Sequence, residues 1–385
     1  MVYFDNAATS FPKPFQVQRA AAEAIRFYGG NPGRSGHNIS MRAAAKVFSV
    51  REKAAAMFGA QPENVIFTLN CTMALNMAIK GAMAGGGHVV LSSMEHNSAI
   101  RPVHAMSKTG EVQYSIARVE ELDPERTVQN FRSELRQDTR LVICTYASNL
   151  SGTVLPIREI GAMCRENGIL FLVDAAQGAG IFPIHMENLG IDILCAAGHK
   201  GLFGTTGTGL LILGEGVELA TILEGGTGSA SLDLEQPDFY PDRLESGTIN
   251  TVGVLSMGAG MDYLNARGIG RIYRREMDYC AWVYRELSRM PHVKLLAENF
   301  RMGEKAPIVS FNVGDFPSEE VAAYLNRRGF ALRGGFHCAG LAHCTLGTQK
   351  QGAVRFSPSH FNTPQQIAQF LTEIQKIKKF GLPKG

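Results

Sequence analysis

The chain has 385 residues, 45% of them hydrophobic and 19% charged, a composition that supports a large buried core and argues against disorder. Its formal net charge is only +3 and no long run of Lys or Arg occurs, which removes the basic stripe that nucleic-acid binding needs. The opening MVYFDNAATS has no basic-then-apolar leader and no later window of about 18 residues is uninterruptedly apolar, so a cytoplasmic chain without membrane contact is expected.

Along the chain, short apolar, β-branched runs alternate with helical patterns. The runs are VIFTL (65–69), HVVLS (88–92), TRLVICTYA (139–147) and ILFLVDAA (169–176). This alternation predicts βαβ units and a mostly parallel sheet over 60–215. Between two of the runs, PIREIGAMCRENG (156–168) begins with Pro and ends with Asn-Gly, the start and stop signals of a crossover helix. From about 250 the texture becomes a long helical passage, then the strand-like PIVSFNV (307–313), the helix-like SEEVAAYLNRRG (318–329) and a closing helix in TPQQIAQFLTEIQKIKKFG. The predicted organisation is a large α/β domain over 1–250 and a smaller α+β domain over 251–385, with the N-terminal segment reaching the small domain or the active site.

Seven cysteines, Cys71, Cys144, Cys164, Cys195, Cys280, Cys338 and Cys344, are too scattered for a disulfide framework and read as reduced thiols. His337-Cys338 followed by His343-Cys344 is the one cluster with metal-ligand chemistry, at a spacing that matches no familiar zinc pattern. No metal is expected.

Lys200 follows the apolar run IDILCAA and precedes the Gly- and Thr-rich FGTTGTG. A lysine at a strand end in a tight turn can be held against a cofactor with its amine pKa lowered. Asp174 ends the apolar run ILFLVD, and a carboxylate there needs a cation such as a protonated pyridine nitrogen. In TLNCTMALN a strand gives way to a helix near Thr72, a start suited to a phosphate dianion, although plain threonine capping reads the same way. His96, in MEHNSAI, and Asn149 stand at comparable strand ends, and strand ends of an open parallel sheet face one crevice.

The ordered motifs LVDAAQ, AGHK, MEHNS and YASNLSGT resemble the class V aminotransferase family of fold-type I pyridoxal-phosphate (PLP) enzymes, with the cysteine desulfurase and selenocysteine lyase branch nearest. The resemblance runs from YFDNAAT to RFSPSHFNT and implies a large, mostly parallel seven-stranded sheet domain. It implies that Lys200 carries PLP as a Schiff base, Asp174 meets the ring nitrogen, His96 stacks on the ring and Gln177 meets the ring hydroxyl. Thr72 and His199 fall to the phosphate and Asn149 to the ring and substrate. Arg355 would bind the substrate carboxylate, and Arg34 would stand at the pocket mouth. Thr248, in LESGTIN, would reach the cofactor phosphate of a second subunit, making a homodimer.

Cys338, in RGGFHC, resembles the desulfurase nucleophile. With Arg333 and His337 beside it, a lowered thiol pKa is expected. Two departures stand out: Ala197 replaces a usual Ser, and Cys71 replaces a frequent Thr. Both remove a hydroxyl from the phosphate site, and Thr205 and Thr206 are the compensating candidates. The function implied is conversion of L-cysteine to L-alanine, with a persulfide on Cys338 passed to an acceptor protein or small molecule. Selenocysteine lyase, another class V reaction such as transamination or β-elimination, and a non-catalytic sulfur or metal carrier are the alternatives.

Overall fold

The computed structural model describes residues 1–33, 36–297 and 299–380, the last three as backbone only. Among them twelve strands form three sheets. In chain order the strands are β1 (Val2–Tyr3), β2 (Val65–Thr68), β3 (Gly87–Ser92), β4 (Val112–Ala117), β5 (Thr139–Thr145), β6 (Leu170–Asp174), β7 (Ile193–Ala197), β8 (Gly209–Leu213), β9 (Val293–Leu295), β10 (Val309–Val313), β11 (Phe330–Ala331) and β12 (Val354–Phe356).

The central sheet has seven strands in the order β2-β8-β7-β6-β5-β3-β4. Every pairing is parallel except those of β8, which runs antiparallel to both β2 and β7. β2, β5, β7 and β8 read as near-continuous buried apolar runs because helices cover both faces, which is how a parallel sheet hides its strands. β4 is the exception: it is an edge strand, half exposed, and its polar-interrupted VQYSIA carries no apolar run to announce it.

The crossover helix predicted over 156–168 occupies Ile157–Glu166, with Pro156 at its N-cap. The long helical passage after 250 is two helices, Thr251–Arg267 and Ile269–Ser288, broken at Gly268, whose φ of 82° suits glycine alone. The first of the two packs on helices Phe15–Phe27 and Asn38–Phe58 beside the central sheet. A separate apolar cluster, with Phe4, Phe311, Phe330, Phe356 and Phe370 at its centre, binds β10, β12 and the terminal helix Pro364–Phe380. Phe4 belongs to it because β1 pairs in parallel with β11, Val2 opposite Phe330. The N-terminal segment then runs on to the C-terminal edge of the central sheet, where Ser10 N donates to His199 O at 3.2 Å.

Candidate active site

The parallel strands β2, β3, β5, β6 and β7 end on one edge of the sheet, and their following residues enclose a cavity of about 230 Å³. Asn70 caps the helix Cys71–Ala82 by accepting from Met73 N at 2.9 Å, which leaves the N–H groups of Cys71 and Thr72 in its first turn without an acceptor among the described residues. The Thr72 hydroxyl sits 2.7 Å from Ser98 Oγ, and Ser98 in turn lies 2.8 Å from His96 Nδ1. Because Ser98 N also donates to His96 Nδ1 (3.1 Å), that nitrogen is an acceptor and the neutral ring carries its proton on Nε2. Burial lowers the His96 pKa, chiefly by desolvation, so the neutral ring is the form present at pH 7.

Asp174 closes β6 with 3% of its surface exposed. Its Oδ1 accepts from Ala176 N (2.9 Å) and from the Cys71 thiol (3.4 Å), and its Oδ2 makes no hydrogen bond to the described protein. Cys71 thus stays a thiol, its pKa raised by burial first and by Asp174 second. Lys200 lies across the same cavity, its amine pKa lowered by burial, with Arg355 and Arg333 adding to the effect and Asp174 opposing it. His199 is likewise held neutral, pushed down to about 4 by burial and by the neighbouring Lys200 and Lys13. Gln177 lines the cavity and donates to Ala7 O at 2.8 Å.

Arg355 is 1% exposed on β12. One side of its fork donates to Asn149 O (2.9 Å) and the other to Asp5 Oδ1 (2.8 Å), while its buried Nε has no partner among the described residues. Arg333 lines the cavity beside it, and its Nη2 lies 4.0 Å from Cys338 Sγ.

Cys338 is exposed, next to the cavity wall formed by His337. His337 and Cys338 both adopt left-handed backbone, with φ of 51° and 55°, a conformation that costs non-glycine residues of order 1 kcal/mol each. Two donors fix this turn from the sheet side: Asn149 Nδ2 on His337 O and Asn97 N on Cys338 O, both at 2.8 Å. The expectation that His337 lends Cys338 a positive charge is corrected. The ring is buried, directs Nε2 to Ala353 O (2.9 Å) and is pushed down to about 3 by burial, with Arg355 adding to the effect. Arg333 is the cation beside the thiol. His343 likewise turns Nδ1 to Thr348 Oγ1 at 2.6 Å.

Three further expectations fall outside this cavity or outside the described residues. Thr205 bonds Ser256 on the helix Thr251–Arg267, and neither it nor Thr206 lines the cavity, so the two do not replace the hydroxyls missing at Ala197 and Cys71. Thr248 is exposed, accepts from Asn31 Nδ2 at 3.2 Å and stands outside the cavity of its own chain. Arg34 lies outside the described residues.

Sequence reasoning passed over Asp5, the partner of Arg355, and Ser98, which orients both His96 and Thr72. It also passed over Glu95, a fully buried acid that accepts from Thr145 N (2.6 Å) and from the Ser92 hydroxyl on Oε1 and leaves Oε2 unpartnered. Ser98 was within reach of sequence, since a residue two places after an N-cap is where a capping side chain binds. Asp5 gave no local sign, because its partner is 350 residues away.

The sequence matches the Aminotransferase class-V family over residues 2–370. A probable cysteine desulfurase of Methanothermobacter thermautotrophicus is 31% identical over 393 residues, covering 99% of this chain and 95% of its own. A probable cysteine desulfurase of Synechocystis is 30% identical, covering 99% and 91%. Among solved structures, the apo cysteine desulfurase of Thermococcus onnurineus superposes with a TM-score of 0.89 at 29% identity, over 98% of this chain and 94% of that one.

Proposed function

Since the chain belongs to the class V aminotransferase family, we propose that it is a PLP-dependent cysteine desulfurase, converting L-cysteine to L-alanine and carrying the sulfur away as a persulfide on Cys338. The observation that carries this reading is the exposed Cys338, held in a strained turn with Arg333 beside it, next to His337 in the wall of the cavity that Lys200 and Asp174 also line. The residues present fit the cofactor. Asp174 offers an unbonded Oδ2 for a cationic ring nitrogen, Lys200 an amine for the aldehyde, and the helix start at Cys71 and Thr72 two N–H groups for phosphate.

When bound, PLP supplies an electron sink for the charge left at the substrate α-carbon. The remaining work falls to the chain. Arg355 is already bent around Asn149 O and Asp5, and with its spare donors facing a buried site it takes the substrate carboxylate in a fixed orientation. Lys200, its amine pKa lowered by burial, is the base for the α-proton. His96, with its proton on Nε2, would stack on the cofactor ring and serve as proton donor as the β-carbon loses sulfur. The Cys338 thiolate forms the new S–S bond as the substrate Cβ–S bond breaks, with Arg333 holding the negative charge near. Asn149 ties these events together, with its side chain on the nucleophile turn and its carbonyl on Arg355.

Thr248 serves the cofactor phosphate of a second copy in a homodimer. Its position outside its own cavity supports this, as do the exposed Leu232, Leu234 and Phe239 on the same irregular stretch. Among the described residues no helix is long and apolar enough to cross a membrane, and the seven unpaired cysteines support a reducing, cytoplasmic setting. Selenocysteine is the competing substrate.

The deciding experiment loads the protein with PLP, offers L-cysteine or selenocysteine, and quantifies alanine with sulfide or selenide. Alanine from cysteine, with an added sulfur on the Cys338 peptide by mass spectrometry, is expected. Turnover that needs a keto acid, or a Cys338 that never gains sulfur, overturns the reading.

A further inference from the structure

We propose that Lys13, which lies outside the cavity, is a positioning residue for Lys200, and that residues 5–13 form a strap tying the lysine-bearing peptide to Arg355. The inference rests on Lys200 being the reacting amine.

The carbonyl of His199, the peptide group immediately before Lys200, is surrounded by donors from this strap. Lys13 Nζ reaches it at 2.7 Å, Thr9 Oγ1 at 3.1 Å, and both Ser10 N and Ser10 Oγ at 3.2 Å. The ammonium bond is the shortest and the only charged one, and charge-assisted bonds are the stronger class. Lys13 also reaches Ser10 Oγ at 2.7 Å, and Ser10 Oγ is in turn 3.0 Å from Lys200 O. A hydroxyl has one proton to give. With the ammonium already on His199 O, the Ser10 proton is free for Lys200 O, so Lys13 sets the direction of both bonds.

The opposite side of the turn is equally fixed. A Cβ on Gly201 would stand 2.3 Å from Ala179 O, so the backbone of the lysine turn is pressed directly onto 179–180. The peptide is therefore held between that contact and the strap. Lys13 gives its hydrogen bonds to uncharged oxygens from a half-buried position, and burial pushes its amine down to about 8. Such a position is unfavourable for a lysine, and among the described residues no ion pair accounts for it.

The rest of the strap makes separate bonds to the same site. Asp5 holds Arg355, Ala7 N donates to Ser357 Oγ at 3.0 Å on the segment after β12, and Ala7 O accepts from Gln177. The group that orients the substrate carboxylate and the peptide that aims the amine are thus referenced to one short segment.

The test is Lys13→Met, with Ser10→Ala and Lys13→Arg beside it, in the full chain with and without PLP. Hydrogen exchange is read at the amides of Phe203 and Gly204, which bond Lys200 O and Gly198 O within the turn. Lys13→Met is expected to speed exchange there about tenfold or more with or without cofactor, leaving the central strands unchanged. In the loaded enzyme kcat for alanine release should fall about 10- to 100-fold with KM for cysteine within about threefold, since amine placement matters after binding. Ser10→Ala should show a smaller change of the same kind, and Lys13→Arg should recover part of both. Should Lys13→Met fail to fold, the other two variants carry the same readings. Unchanged exchange at Phe203 and Gly204, or faster exchange spread over the whole sheet, overturns the proposal. If the wild type makes no alanine while exchange responds as expected, the strap stands and the desulfurase reading falls.

Discussion

Replacing Asp5 by Asn removes the carboxylate that faces Arg355 while keeping an oxygen in its place. The guanidinium is 1% exposed and lies 2.8 Å from the Asp5 carboxylate, which is itself 20% exposed. Stripping the partner from a fully buried charge costs about 3–5 kcal/mol. Partial solvation of Asp5 and the acceptor oxygen retained by Asn reduce this, so a loss of about 2–3 kcal/mol is expected. Urea denaturation of the cofactor-free protein at neutral pH measures it. Saturating L-alanine supplies a carboxylate to the unpaired fork and should stabilise Asp5→Asn more than wild type, by mass action on the folded state. A variant as stable as wild type, or one gaining no more than wild type from alanine, would show that Asp5 is not the counter-charge of Arg355.

Lys200→Ala should bind PLP without a covalent link, so borohydride treatment leaves no lysine adduct; a reduced adduct on another lysine refutes the assignment. Cys338→Ala should still bind cysteine but release alanine at under about one hundredth of the wild-type rate, with selenocysteine turnover hurt less, and a wild-type rate from cysteine would remove Cys338 as nucleophile. Glu95 is held protonated by burial, its carboxyl pushed up to about 8 from an ordinary 4.5. Between those values the folded state binds a proton that the unfolded chain has released, so wild type loses stability as pH rises through the window and Glu95→Gln does not. The stability gap between them, measured by denaturation from pH 5 to 8.5, should widen in favour of Glu95→Gln; a constant gap contradicts the buried acid.

The residues legible in the sequence are those placed by local rules. Asp174 and Lys200 follow apolar runs that had to be buried strands, and strand ends of a parallel sheet share an edge, so their meeting in one cavity follows from pattern alone. β8 escaped because GLLIL sits directly behind the Gly-Thr turn and reads as its continuation, although it occupies an interior position of the sheet. β1 and β11 are two residues long and exist only through each other, hundreds of positions apart, and the three-residue β12 only through β10, none of which local periodicity encodes. The misjudged charge on His337 has the same origin. Sequence shows which residue adjoins Cys338 but not that its ring turns inward onto Ala353 O.

The pairing of β1 with β11 sets a timetable for synthesis. As the chain leaves the ribosome, Val2 and Tyr3 have no strand to pair with until position 331 has been made, and Asp5 waits further, for Arg355, although Thr9, Ser10 and Lys13 can already reach His199. The central sheet and its lysine can form well before this, because β2 to β8 are complete at residue 213. From residue 213 to residue 355 the nascent protein thus holds a sheet with Lys200 in place, its strap not anchored at β11 before residue 331, and no Arg355 to select an amino acid. A half-made chain that captured cofactor would present a reactive aldehyde without a substrate filter. The late arrival of β11 and Arg355 confines selective chemistry to the finished molecule.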